Sequence, residues 1–231
     1  MITSMQNKTV KELLKLKQKK YRKDYYLVET NHLVEEAIKA KQTDLIISTE
    51  PVDLGVENLV VSKEIMEKLA FTKTPQPIMA RCFIQKDKKL VDGKRYLILD
   101  YLQDPGNIGT LIRTALAFGI DQVILSNECV DLYNDKLLRS MQGAHFHLSC
   151  LYGDLKEKGV CVVGSALENG RPIHEIKKQE KMAYVLGNEG NGMEKEIIDI
   201  CDQIAYIPIT TIESLNVAVA GSIMMYHFQG E

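Results

Sequence analysis

The sequence predicts an α/β protein, a mostly parallel sheet covered by helices and preceded by a small α/β domain. Three observations carry this. From residue 95 onward, short apolar runs of strand length alternate with stretches of helical periodicity. A polar, charged stretch, Lys86-Asp87-Lys88-Lys89 through Asp92-Gly93-Lys94, separates that alternation from an earlier, shorter one. Three of the later strands run into loops rich in glycine, asparagine or proline, where sheets of this type bind ligands. The domains are therefore set at 1–85 and 96–231, with a linker at 86–95.

Residues 8–19 read as a basic helix carrying Val10, Leu13, Leu14 and Leu16. A strand follows at 25–28. Asn31 then caps a helix with Leu33, Val34, Ala37 and Ile38 on one side. Strands at 45–47 and 59–61 come next, then a helix capped by Ser62 that carries Ile65, Met66 and Leu69. Thr74-Pro75-Gln76-Pro77 breaks the pattern before a strand at 78–84. In the second domain, strands are expected at 96–100, 122–125, 145–149, 160–164, 182–186 and 204–208. Helices are expected at 107–118, 134–141, 151–158, 192–202 and 214–228. Asn107 and Ser214 are the expected N-caps, and Gly119 ends the first of these helices as a C′ glycine. On a strand, His145 and His147 would share one face.

The 231 residues carry a net charge of −2, which signals no nucleic-acid partner by itself. Its distribution does. Lys8, Lys11, Lys15, Lys17, Lys19, Lys20, Arg22 and Lys23 face a single acid, Glu12, in the first 23 residues. Such a run suits either a solvated helix face or a phosphate backbone. Five scattered cysteines, with no C-x-x-C pair, point to free thiols in a reducing compartment, and no long apolar span is present. The expected location is the cytoplasm, without membrane or metal.

The helix after 104 has a second face made of Gly106, Gly109, Thr110, Arg113 and Ala117. It suits an anion or nucleotide near the helix N-terminus, or simply a glycine-rich turn with a solvated arginine. The stretch LGNEGNGM (186–193) lacks the Gly-Lys-Ser/Thr ending of a phosphate-binding loop and is not GxGxxG; a dinucleotide-binding dehydrogenase needs GxGxxG after its first strand, and that is absent. Its glycines free backbone groups to meet a ligand. The helix at 214–228 is apolar nearly all round, with a patch of small residues at Ala218, Ala220, Gly221 and Ser222, as an interior or interface helix would be.

Asn107-x-Gly109-x-x-x-Arg113-Thr114-Ala115, then LGNEGNGM, then IPI followed by ESLNVAVAGSI, resemble the three ordered motifs of the SpoU (TrmH-type) RNA 2′-O-ribose methyltransferases of the SPOUT superfamily. The resemblance covers residues 96–228. The first domain is more loosely similar to that family's RNA-binding domain, with Glu29-Thr30 where Glu-Gly is frequent and Pro75-Gln76-Pro77 where Pro-Gln-Gly is. The resemblance implies a C-terminal trefoil knot and a homodimer. It also implies S-adenosyl-L-methionine-dependent methylation of an RNA ribose 2′-hydroxyl, with ribosomal RNA preferred to transfer RNA. Leu186, Gly187, Gly190, Ile207, Ile209 and Leu215 would then meet the cofactor. Arg113, Asn107, Glu189, Ser214 and Asn216 would form the catalytic surround, with Glu189 orienting Arg113 or accepting from the ribose. The competing reading is a non-catalytic RNA-binding or ribosome-assembly protein that keeps the fold.

Overall fold

The computed structural model describes residues 1–86, 89–153 and 159–229. The chain forms two compact units, Met1–Asp87 with Asp131–Phe146, and Lys88–Val130 with His147–Glu231. The first boundary falls inside the expected linker. The second unit is not the unbroken 96–231 expected, because 131–146 belongs to the first unit.

The first unit is built on a four-stranded sheet in the order β1 (Tyr25–Glu29), β4 (Ile78–Phe83), β2 (Thr43–Ser48), β3 (Glu57–Val60). β4 runs antiparallel to both neighbours, and β2 and β3 are parallel. Helices α1 (Lys8–Lys15) and α3 (Lys63–Leu69) bury Val10, Leu13, Ile65 and Leu69 against Leu27, Leu45, Ile47 and Met79. Ser62 caps α3 as expected, but α2 (Asn31–Lys39) is capped by Thr30, not Asn31. Thr30 Oγ1 accepts from the Leu33 N–H at 3.3 Å, with its backbone at φ 101°, ψ 145°. That is glycine territory, which a β-branched residue enters only under strain. The Glu29 carboxylate beside it accepts from the N–H groups of Phe71 (2.7 Å) and Thr72 (3.3 Å), which fixes the segment in place.

Helix α1 stops at Lys15 instead of 19, and two of the basic side chains beyond it are structural. Lys17 Nζ donates to the Lys68 carbonyl at 2.9 Å and to that of Ala70, closing the C-terminal end of α3. Arg22 pairs with Asp131. The segment 131–146 joins this unit through contacts that no local pattern encodes. The Tyr26 ring packs on Tyr133 with centroids 4.5 Å apart, and the Tyr26 hydroxyl lies 3.1 Å from His145 Nε2. Helix α5 (Asp135–Met141) lies in this segment as expected. The strand expected at 145–149 does not form there. Ala144–Phe146 is a single 3-10 turn that carries His145 inward to Tyr26, so His145 and His147 share no strand face.

The second unit holds a seven-stranded, wholly parallel sheet. Its order is β7 (Ser149–Tyr152), β6 (Gln122–Leu125), β5 (Arg95–Leu99), β10 (Met182–Leu186), β8 (Cys161–Ser165), β11 (Gln203–Tyr206), β9 (Arg171–Pro172). The two-residue edge strand β9 was not anticipated. The helix expected at 151–158 begins within β7, and its remainder, 154–158, lies outside the described residues. The helix expected at 192–202 shrinks to α6 (Lys195–Asp199).

Both key helices start differently from expectation. α4 (Pro105–Ala117) is capped by Asp104, whose Oδ1 accepts from the Asn107 N–H at 2.8 Å, so Asn107 stands inside the first turn with its amide free for other work. Pro105 in the first helical turn explains the shift, since its missing N–H is no loss there. α7 (Val217–Phe228) is capped by Asn216, which accepts from the N–H groups of Ala218 (2.9 Å) and Val219 (3.3 Å), leaving Ser214 in the loop before it. α7 packs directly on α4. At Gly221 a Cβ would sit 2.5 Å from Leu111 Cδ2, so the small-residue patch is what lets the helices close.

Candidate active site

The parallel sheet brings the carboxyl ends of β5, β10 and β11 to one edge, and the three loops meet there. Asn107 on α4 donates through Nδ2 to Glu189 Oε1 at 3.0 Å. Its Oδ1 accepts from Asn216 Nδ2 at 2.9 Å. Three of the five expected catalytic residues, one from each loop region, therefore form a single hydrogen-bonded chain. Glu189 has no second hydrogen-bond partner among the described residues and faces solvent, so its other oxygen is open to a ligand. Arg113 is exposed two turns along α4 and makes no ion pair among the described residues. Glu189 is bonded to Asn107, and among the described residues no hydrogen bond or ion pair joins it to Arg113.

The 187–194 loop is held by its own second residue. Asn188 Nδ2 donates to the Tyr101 carbonyl (2.9 Å), while Asn188 Oδ1 accepts from the N–H groups of Gly190 (2.9 Å) and Asn191 (3.1 Å). The loop then doubles back, with Gly192 N–H donating to Asn188 O at 2.9 Å. Gly187 lies where the returning chain crosses: a Cβ there would sit 2.5 Å from the Gly192 carbonyl oxygen and closer still to the Met193 nitrogen. Beneath the loop, buried Asp100 links β5 to β10 through its N–H to the Leu186 carbonyl (2.8 Å). Burial raises the Asp100 pKa above the usual carboxylate range. The Glu194 N–H pulls it down, and the Glu194 and Glu128 charges push it up.

A cavity of about 480 Å³ opens beside this network. All six expected cofactor residues line it (Leu186, Gly187, Gly190, Ile207, Ile209 and Leu215), and so do Glu189, Ser214 and Asn216. Asn107 and Arg113 do not; they stand outside, on α4. Ser165, Ala166 and Leu167 also line it and were not foreseen. Ser165 ends β8 and the other two follow it; β8 lies between β10 and β11 in the sheet, and a strand order is not written in any local pattern. The volume is in the range of small-molecule and cofactor sites. Among the described residues, no group of three or more His, Cys, Asp or Glu side chains is placed to hold a metal ion. No helix there is long and apolar enough to cross a membrane.

A sheet with this strand-end cavity and an Asn–Asn–Glu chain beside it defines a class, and the comparisons with known proteins agree. Residues 94–226 match the SpoU rRNA Methylase family and residues 7–80 match an MRM3-like substrate binding domain. The chain belongs to the SpoU rRNA methylase family. It is 40% identical, over 99% of both chains, to the 23S rRNA (guanosine(2553)-2′-O)-methyltransferase RlmP of Bacillus subtilis. The crystal structure of an S-adenosylmethionine-bound rRNA methyltransferase from Sinorhizobium meliloti matches with a TM-score of 0.85 at 27% identity, over 98% of this chain and 95% of that one. The SpoU methyltransferase AviRb of Streptomyces viridochromogenes, at 19% identity, shares the fold with a TM-score of 0.84, over 96% of this chain and 97% of that one.

Proposed function

We propose that this chain methylates a ribose 2′-hydroxyl in large-subunit ribosomal RNA, using S-adenosylmethionine. The observation that carries this reading is the Asn216–Asn107–Glu189 chain set beside a cavity lined by the loops after β10 and β11. The residues fit that cofactor: Gly187 leaves main chain bare at the cavity wall, Ile207, Ile209 and Leu215 offer an apolar surface, and Gly190 and Ser214 stand at its rim. When bound, S-adenosylmethionine supplies an activated methyl group with a good leaving group.

What remains for the protein is to position a weak nucleophile and manage its proton. Asn107 and Asn216 fix the Glu189 carboxylate, whose open oxygen accepts a hydrogen bond from the ribose hydroxyl. Arg113 brings a planar guanidinium whose fork of donors suits phosphate and oxyanion contact. Its role is to grip the adjacent phosphate and steady negative charge as it develops on the 2′-oxygen. Ser214, exposed in the third loop, lines the cavity. Six exposed lysines of the amino-terminal basic run, Lys8, Lys11, Lys15, Lys19, Lys20 and Lys23, draw RNA toward the first unit.

The same reading includes a trefoil knot and a homodimer working in the cytoplasm. The return of the chain after β11 to lay α7 on α4 supports the knot. The apolar surface left on those helices, with Val219 48% and Tyr226 63% exposed, supports a second copy as partner. The decisive assay is transfer of labelled methyl groups from S-adenosylmethionine to unmodified 23S rRNA, followed by mapping of the 2′-O-methyl nucleotide by mass spectrometry. Absence of transfer, together with S-adenosylmethionine binding that calorimetry fails to detect in the presence of EDTA, would overturn the reading.

A further inference from the structure

Tyr101 stands between β5 and α4 in a conformation that its side chain makes unfavourable. Its φ is 58°, in the left-handed region. Among the described residues four other non-glycine positions have positive φ, Thr30, Lys41, Gln142 and Asn169, and Tyr101 is the one aromatic in the set. Bulky residues rarely adopt this region, and glycine would adopt it freely. The turn has an evident backbone purpose, because it lets both neighbours, Asp100 (6% exposed) and Leu102 (0%), point inward. It does not need a ring. The Tyr101 side chain is instead thrown outward, 43% exposed, and its hydroxyl makes no hydrogen bond among the described residues.

The backbone beneath it is pinned on both sides. Tyr101 N–H donates to Ser126 Oγ at 2.9 Å, and its carbonyl accepts from Asn188 Nδ2 at 2.9 Å. Asn188 is the residue immediately before Glu189. The exposed ring is therefore carried one hydrogen bond and one peptide away from the carboxylate proposed to meet the ribose. Strain held in place by surrounding structure, and bonded to a loop that lines a ligand site, points to a use for the ring.

We infer that Tyr101 is a substrate-positioning residue, a platform on which a nucleobase at or next to the acceptor ribose stacks. The inference rests on the methyltransferase reading above. Sequence-specific RNA recognition splays bases from single-stranded or loop regions onto aromatic faces, and stacking is independent of which base is presented. A flat ring with no internal partner suits that role, and the pinned backbone fixes its direction.

The test compares Tyr101→Gly and Tyr101→Phe with the unaltered chain. Unmodified 23S rRNA is the methyl acceptor, and the thermal midpoint, the S-adenosylmethionine affinity and the mass by light scattering are measured alongside. Tyr101→Gly is expected to hold or raise the midpoint, leave cofactor affinity and mass unchanged, and raise the KM for RNA roughly 5- to 100-fold. Tyr101→Phe keeps the ring and is expected to stay within about twofold of the unaltered chain, since stacking needs the π-face and not the hydroxyl. A fall in the midpoint with Tyr101→Gly would mean that the ring is structural. A change in mass would mean that it serves contact between copies, and an unchanged KM that it meets no base. Each of these overturns the inference. If the unaltered chain itself transfers no methyl group to RNA, the functional reading fails first, and that failure is distinct from the other three.

Discussion

Replacing Gly187 by alanine tests the cavity wall directly. The added Cβ would lie 2.5 Å from the Gly192 carbonyl oxygen, where unstrained contacts are 3.4 Å or more. The obstacle is the Gly192–Met193 main chain, so no side chain can swing away, and the 187–193 loop must retreat by about 1 Å. A displacement of that size at a reacting centre lowers rates about 10²-fold. Loss of one backbone hydrogen bond to the cofactor, about 1.5 kcal/mol, weakens its binding about tenfold. Gly190→Ala is the control. It lines the same cavity, but its new Cβ would meet nothing nearer than Asn188 Oδ1 at 3.5 Å, an ordinary contact. Calorimetry with S-adenosylhomocysteine and single-turnover methyl transfer should separate the two variants by at least an order of magnitude while circular dichroism shows both folded. Equal cofactor affinity for Gly187→Ala and Gly190→Ala would refute the assignment of the doubled-back loop as the cofactor cradle.

Three further outcomes are expected. Arg113→Ala should leave the fold and cofactor affinity nearly intact, because Arg113 is exposed and stands off the cavity, while lowering single-turnover methyl transfer about 10²- to 10³-fold; near-full turnover at saturating RNA would exclude a catalytic role. Asp100→Asn should stabilise the protein at neutral pH. The folded state raises this carboxyl's pKa, so folding disfavours the ionised form, and the penalty fades as pH falls through the raised value. The stability gap between Asp100→Asn and the unaltered chain should close in acid, and a gap that widens there would contradict the sign. Thr30→Gly should relieve about 1–3 kcal/mol of backbone strain against a few tenths from the lost cap and about 0.5–1 from glycine's freedom in the unfolded chain. The net is roughly 1 kcal/mol of stability, or about 2–4 °C in calorimetry; a lower midpoint would show the strain to be absent.

The second unit was legible because its information is local. Strand-length apolar runs at β5, β6 and β10 and the helical spacing of Ile108, Leu111, Ile112 and Ala115 are set by near neighbours in the chain. The cofactor loops were legible for the same reason, since three glycines and two asparagines in LGNEGNGM have few other uses. Both helix caps were misplaced by two or three residues. Asp104 and Asn216 outcompete Asn107 and Ser214 because the cap is decided by where the chain leaves the strand-end loop. The partners of those amides, Asn107 to Glu189 and Asn216 to Asn107, lie 82 and 109 residues apart, beyond any periodicity. Sequence reasoning also gave the whole basic run to a solvated helix face or a phosphate backbone, whereas Lys17 and Arg22 are tied to Lys68, Ala70 and Asp131. Long-range pairing of that kind is invisible until the sheet order is known.

The excursion of 131–146 into the first unit sets a timetable for folding during synthesis. Chains usually complete their amino-terminal unit first as it leaves the ribosome. Here Tyr26 and Arg22 must wait for Tyr133, His145 and Asp131, which emerge only after β5, α4 and β6 of the other unit. The final pieces arrive about sixty residues after Asp87, a delay of roughly three to twelve seconds at usual rates of elongation. Through that interval the nascent amino-terminal unit carries an open aromatic face, so neither unit matures as a self-contained passenger and the two are assembled in alternating instalments.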